Sequence, residues 1–457
     1  MRGNTGRLSV ATLVLALLAG CASVQPDARF PAVQAAADAR LGHRLIWDRG
    51  GDGEAVRTAV EALLARPLTA DGAVQVALLN SQALQAVFEE LGVAQADLVQ
   101  AGLVRNPSLA GFVRFPDRPP SGLNWNVGVD VWPLDVFLVP LRTRLAGAAL
   151  DAAERRVSHA VLDLAAQTRL TYYTLWADER VLEAQRDVAE LAAIADELAA
   201  RQYAAGAVDD TRLAAERLAS QQARLALIQA ESAVRVSRER LRRMLGLAAS
   251  EAAWSIVADQ PMPARAEPDG EALVRLALER RLDLAAARKE TERLDYALAL
   301  TRRWWLAPVR VGVEVEKGSG GQVQTGPHFQ ADIPLFDQKQ AEVARQEALI
   351  RQARRRAADL EAEIRMEVRS ALDRVTAAAR IARLYQQDVI PLRARVTEMV
   401  TQRYQSMTLG VFEMFTAKSE EVAVRTAAAR AVKEFWMAWS DLELAIAVRL
   451  PATGVQR

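Results

Sequence analysis

The sequence predicts a mainly α-helical protein with a small β part, built from one structural unit written twice. Three observations carry this. Leu141 to Gln202 contains no proline and a single glycine, Gly147, and as a helix it would be roughly 90 Å long at ~1.5 Å per residue. A second rod of matching length runs from near Gln338 to near Gln402. Landmarks also recur at a fixed offset, 200 early (276 less 76) and 201 later (308 less 107): Leu276-Ala277-Leu278 answers Val76-Ala77-Leu78, Pro308 answers Pro107, Pro334 answers Pro133 and Tyr404 answers Tyr203.

Composition agrees and narrows the function classes. The 457 residues carry 58 basic and 57 acidic side chains, a balance with no footprint for nucleic acid. Aromatic residues are only 5%, and alanine, leucine, arginine and glutamate dominate, as in long helices. The single cysteine, Cys21, excludes an internal disulfide or a cysteine-rich metal site.

Residues 1–20 have the layout of a signal peptide, with Arg2 and Arg7 before the apolar run Leu8 to Leu18, which is too short to span a membrane permanently. Leu18-Ala19-Gly20-Cys21 resembles the lipobox of bacterial lipoproteins, which implies lipidation of Cys21; the other reading is a plain secretory peptide with an incidental cysteine. The following Ala22, in place of aspartate, implies delivery to the outer membrane in that family. Residues 21–70, rich in alanine, proline and glycine, are expected to be a tether with one helical patch around Glu54 to Ala65.

The first repeat covers 71–247. Val74, Leu78, Leu84, Val87 and Leu91 recur at helical spacing and predict one helix of about 35 residues, Asp71 to Val104, stopped by Asn106-Pro107. A hairpin follows over 108–132, in which Leu123, Trp125, Val127, Val129 and Val131 alternate with Asn124, Asn126, Gly128 and Asp130. The rod then ends near Tyr203, where Gly206 can take a left-handed cap and Asp209 or Asp210 can cap a return helix reaching Leu245. Residues 248–270 read as a linker. The second repeat, 271–450, has its hairpin at 309–335, with Val309, Val311, Val313 and Val315 on one face and Phe329, Ala331 and Ile333 alternating after the loop. Its rod alone contains Pro391, which should kink it. Residues 451–457 form a C-terminal tail.

Strands of this length, apolar on one face and polar on the other, suit a membrane barrel wall. Four strands cannot close, and open edges are forbidden in lipid. Two chains would give eight strands with a filled lumen, whereas three give twelve and a channel. The expected assembly is therefore a homotrimer, an α-helical barrel of twelve columns continuous with a 12-stranded membrane β-barrel of four strands per chain.

The lipobox, the duplicated helix-hairpin-rod-return helix unit, Asn106-Pro107 before the first strand, the Pro-Leu after each hairpin and the Arg-Gln-Tyr or Arg-Tyr of the rod ends resemble the TolC-type outer membrane factor family, from Asp71 to Leu450. The resemblance implies an exit duct of a tripartite efflux system, conducting passively across periplasm and outer membrane, with a periplasmic adaptor, an inner-membrane transporter and outer membrane lipid as partners. In that family acidic residues narrow the periplasmic entrance after the second rod turns back. Here the matching tract runs from Arg403-Tyr404 to Gly410 and Glu413, so Glu413 falls at the constriction, where three copies would attract cations. The alternative is an acid favourably placed at a helix N-terminus. Met407 stands where the family pattern has glycine, with Gly410 three residues on, which leaves the register of Glu413 open.

Trp132, Trp304 and Trp305 would lie at the barrel rim as an aromatic girdle, or pack at the equator. Trp436 and Trp439 are expected in the core. His43, His159 and His328 show no ligand spacing, and no nucleophile or phosphate-binding constellation appears, so neither enzyme activity nor a cofactor or metal is expected. The rival function is a scaffolding periplasmic coiled-coil lipoprotein, or an adaptor-like protein without a pore. Because Pro391 and Glu413 lie on the second repeat only, the gated part of the entrance is expected there.

Overall fold

The computed structural model describes residues 23–51, 53–247, 253–260, 269–306, 309–333 and 335–450. The proposed signal peptide, Cys21, the C-terminal tail and most of the linker therefore lie outside the described residues. In chain order the elements are α1 (Phe30–Leu41), α2 (Gly53–Leu64), α3 (Ala70–Asn80), α4 (Gln82–Gly102), β1 (Ser108–Arg114), β2 (Asn124–Val131), α5 (Val139–Ala204), α6 (Asp210–Met244), α7 (Gly270–Arg280), α8 (Leu282–Thr301), β3 (Arg310–Lys317), β4 (Val323–Gln330), α9 (Gln340–Leu384), α10 (Ile390–Gln405) and α11 (Val411–Ile446). Short 3-10 turns, Pro133–Phe137 and Trp304–Leu306, lead out of β2 and into the β3 segment.

The chain divides into two compact units. One comprises residues up to Ala32, Phe88–Val157 and Asp283–Asp359, and the other Val33–Val87, Ser158–Leu282 and from Leu360 on. The first unit holds the sheet, order β1-β2-β3-β4, antiparallel throughout. The second holds the hairpin tips and most of the buried core.

α5 is 66 residues of unbroken helix, roughly 100 Å at ~1.5 Å per residue. The second rod is interrupted where Pro391 required it. Pro391 has no N–H to donate, and the chain just before it widens into a π turn, Tyr385–Val389, with the Ile390 N–H bonded back to the Tyr385 carbonyl.

The single 35-residue helix expected in each repeat is two helices. Ser81 and Arg281 leave helical geometry with ψ near 113° and 125°, and each donates its N–H four residues back, to Ala77 and Ala277. Apolar spacing runs on through both breaks, so no local signal marks them. The contacts that hold them come from far along the chain: Asn80 Nδ2 donates to the Leu245 carbonyl at 3.0 Å, and Arg281 pairs with Glu367. Gly246, at φ 71°, packs so closely on the Asn80 carbonyl that no side chain would fit.

The tether expectation for 21–70 is also corrected, because the segment from Val33 on is folded. Val33, Ala37, Leu41, Leu45, Trp47, Val56, Val60, Leu64 and Leu68 are all buried. Between α1 and α2 the extended backbone is satisfied by glutamine side chains in place of a strand. Gln75 accepts from Arg44 N at 3.1 Å and donates to its carbonyl at 2.9 Å, and Gln85 accepts from Asp48 N and donates to the Ile46 carbonyl, both at 2.9 Å. Within 248–270, residues 253–260 are likewise no free linker. Trp254 and Ile256 are buried, and Ile256 forms a parallel bridge with Leu68.

Candidate functional site

The sheet register sorts side chains onto two faces, because directly paired residues point the same way. Leu109, Val129, Val313 and Pro327 form one row, and Gly111, Val127, Val315 and Thr325 the next row on that face. This face is apolar yet open: Leu109, Val113, Val127, Val129 and Val313 are all exposed in the single chain. The opposite face is polar. There Asn126 donates to Glu314 at 3.0 Å, and His328 Nε2 meets Asp130 Oδ1 at 2.6 Å. Those two residues come from β4 and β2 and meet above Gly312 of β3, where any Cβ would collide with both. The outer edges of β1 and β4 have no partner strand among the described residues.

β4 differs from expectation. Its pairing with β3 starts at Lys317 opposite Val323 and ends at Arg310 opposite Gln330, so Ala331 and Ile333 lie beyond the strand and the hairpin spans 310–330. Trp132 is half-buried, with the Arg105 guanidinium 5.6 Å from its ring; Trp304 is half-buried and Trp305 exposed. By the register they stand at the end of the sheet from which the helices leave.

The two hairpin tips are built alike. After α5, Gly206 at φ 71° donates to the Tyr203 carbonyl and Ala207 donates to Gln202, closing the helix with two back-bonds. After α10, Met407 at φ 59° donates to Tyr404 and Thr408 to Arg403, the same pair of bonds 201 residues later. Methionine has taken the glycine conformation, so the turn is not re-routed relative to the first tip. The return helices start differently. Asp209 caps α6 by accepting from Arg212 N at 2.9 Å, with Asp210 in the first turn. Gly410 caps α11 with no side chain, and the exposed Glu413 carboxylate folds back into the space that a Cβ on Gly410 would take. The offset sets Glu413 opposite Arg212.

The tips also touch. The Arg212 guanidinium lies 4.0 Å over the Phe412 ring, a cation–π contact linking the start of α6 to the start of α11. Sequence reasoning missed this pair, although the offset that aligns Arg212 with Glu413 was the signal for it. Pro391 is not part of that contact. Near it, Arg393 donates to the Ala417 carbonyl at 2.9 Å and pairs with Glu420, tying α10 to α11.

A partly buried ionic cluster was also missed. Arg169, midway along α5, donates to Glu443 at 2.7 Å and to Asp71 at 3.2 Å, and Arg449 pairs with the other Asp71 oxygen. Glu443 further accepts from Trp439 Nε1 and from Leu450 N. Burial pushes the Asp71 carboxyl up, but Arg169 and Arg449 outweigh it and hold it below its ordinary value. Burial holds the His43 imidazole below its ordinary value despite nearby Asp71. A cavity of about 260 Å³ beside the cluster is walled by Tyr172, Tyr173, Trp436 and Trp439. Both tryptophans are buried, Trp436 stacked on Tyr173.

No protein-family model matches the chain, and no curated protein matches its sequence. Solved structures do match. The CmeC outer membrane channel of Campylobacter jejuni aligns with a TM-score of 0.67 at 15% identity, over 82% of this chain and 85% of that one. VceC, an outer membrane protein of Vibrio cholerae, aligns at 0.64 and 17% identity, over 83% and 96%. The open state of the MtrE outer membrane channel of Neisseria gonorrhoeae aligns at 0.64 and 14% identity, over 85% and 89%. The chain thus has the fold of the TolC-type outer membrane factors: mainly helical, duplicated, with four strands per chain.

Proposed function

We propose that this chain is one third of a trimeric outer membrane channel, the exit duct of a tripartite efflux system that receives substrate from an inner-membrane transporter through a periplasmic adaptor. The sheet carries the reading: four antiparallel strands with an exposed apolar face, a polar opposite face and unpaired outer edges. In lipid each unpaired backbone group costs several kcal/mol, so β1 and β4 must pair with other copies. Three copies make twelve strands, the smallest closed number that leaves a lumen. The likeness to proteins whose names describe outer membrane channels supports the same reading.

Within it, acylation of Cys21 anchors the N-terminus in the outer membrane, and Trp132, Trp304 and Trp305 seat the rim at the lipid interface. The tip turns at Gly206, Asp209, Asp210 and Gly410 form the periplasmic entrance. Glu413, three copies of it, supplies negative charge there, and the π turn ahead of Pro391 lets the second hairpin move. The duct conducts passively and needs no cofactor.

Planar-bilayer recording of the purified full chain tests the reading, with native mass spectrometry counting chains. Conducting trimers are expected; a folded protein without conductance, or a stable monomer, would refute it. Glu413→Gln should weaken cation preference, and unchanged selectivity would remove Glu413 from the constriction.

A further inference from the structure

The four strand ends Ser108, Val131, Arg310 and Gln330 stand at one end of the sheet, the end joined to the helices. The segments leaving it expose large apolar side chains: Phe137 is 65% exposed, Trp305 58%, Leu335 70% and Phe336 91%. Strand length gives them a task. Seven or eight residues at about 3.3 Å each, tilted near 40°, make an apolar band about 20 Å tall, shorter than the roughly 25 Å band of an outer-membrane barrel. The rim side chains extend that band on the helical side.

Beside them stand three exposed arginines, Arg105, Arg144 and Arg303, none ion-paired to a carboxylate among the described residues. Arg105 faces the Trp132 ring, and Arg303 reaches only the Ala299 carbonyl, at 3.3 Å. Arg144 lies in the second turn of α5. Two other rim cations are already neutralised: Arg142 pairs with the buried Asp135 at 2.8 Å and Lys339 with Asp337 at 3.0 Å.

We propose that this collar binds anionic phospholipid headgroups, with Arg105, Arg144 and Arg303 at the phosphates and Phe137, Trp305 and Phe336 among the acyl chains. The proposal rests on the sheet being a barrel wall. It adds that the leaflet facing the helices is recognised by charge as well as by apolarity, since unpaired guanidiniums beside interfacial aromatics match an anionic lipid and not a zwitterionic one.

The test titrates delipidated full-length protein in neutral detergent with phosphatidylglycerol or phosphatidylcholine and counts retained lipids by native mass spectrometry. Wild type should retain phosphatidylglycerol preferentially. The R105Q/R144Q/R303Q triple variant should lose that preference by about five-fold per arginine, and the corresponding triple lysine variant should keep most of it. Millimolar inorganic phosphate should not displace the lipid. Equal retention of both lipids by wild type, an unchanged preference in the glutamine variant, or displacement by phosphate would each overturn the proposal. Should the glutamine variant not fold, the wild-type lipid comparison and the phosphate competition decide alone. Conductance in a pure phosphatidylcholine bilayer separates the two readings: a conducting wild type with no lipid preference sinks this proposal only, and a folded protein that retains phosphatidylglycerol but never conducts sinks the duct.

Discussion

Val313 lies mid-strand in β3, in the row Leu109, Val129, Val313, Pro327, and Ala110 lies one residue along in the next row, with Gly128, Glu314 and Gly326 on the polar face. The two positions share nearly the same depth and differ in face. That makes a depth-matched pair of substitutions. Val313→Arg places a guanidinium in lipid near the middle of the band, which costs about 2–4 kcal/mol per chain, or roughly 30- to 900-fold in the folding equilibrium. Ala110→Arg places the same group on the polar face, toward Glu314, and should shift it by under about 1 kcal/mol. Folding into phospholipid vesicles, followed by a denaturant titration, measures both. The scaffolding alternative predicts no such loss. In water Val313 is 56% exposed, so replacing it by arginine would leave stability unchanged and raise solubility. Equal folding of the two variants in vesicles would refute the assignment of the faces.

Three further outcomes follow from the helical unit. Met407 holds a left-handed conformation at about 1–2 kcal/mol, so Met407→Gly should raise the melting temperature; a fall would show that this exposed side chain makes a contact in the assembly. Arg169→Met leaves Glu443 buried without its cation and should destabilise by about 3–5 kcal/mol in chemical denaturation, whereas removing the solvated Arg354 should change little. His43 binds its proton less readily in the folded chain than in the unfolded one. Its stabilising contribution is therefore complete above the unfolded value of 6.5 and is lost as pH falls from there toward the depressed folded value. His43→Leu should flatten the decline in melting temperature below pH 6.5, and an unchanged slope would clear His43 of that role.

Much of the fold was legible along the chain because periodicity reports burial locally. A run of about 60 residues without proline has little to become but a helix, and Val309 to Val315 alternating with polar partners reads as a half-apolar strand. The duplication was legible too, and it carried the tips: two turns with the same hydrogen bonds 201 residues apart. Of the candidate site, Pro391 announced its own disturbance, because a missing N–H must be accommodated within one turn.

The remainder depended on groups that meet only after folding. Helical spacing passes through Ser81 and Arg281 unbroken, and the direction changes there are held by partners 165 and 86 residues away. Residues 43–48 look like linker because their backbone partners are the side-chain amides of Gln75 and Gln85, which leave no period. The Arg169 cluster joins positions 274 residues apart, and Asp130 reaches His328 only because Gly312 stands between them. Local pattern specifies what each segment becomes. Which polar groups find one another is set by how those segments pack.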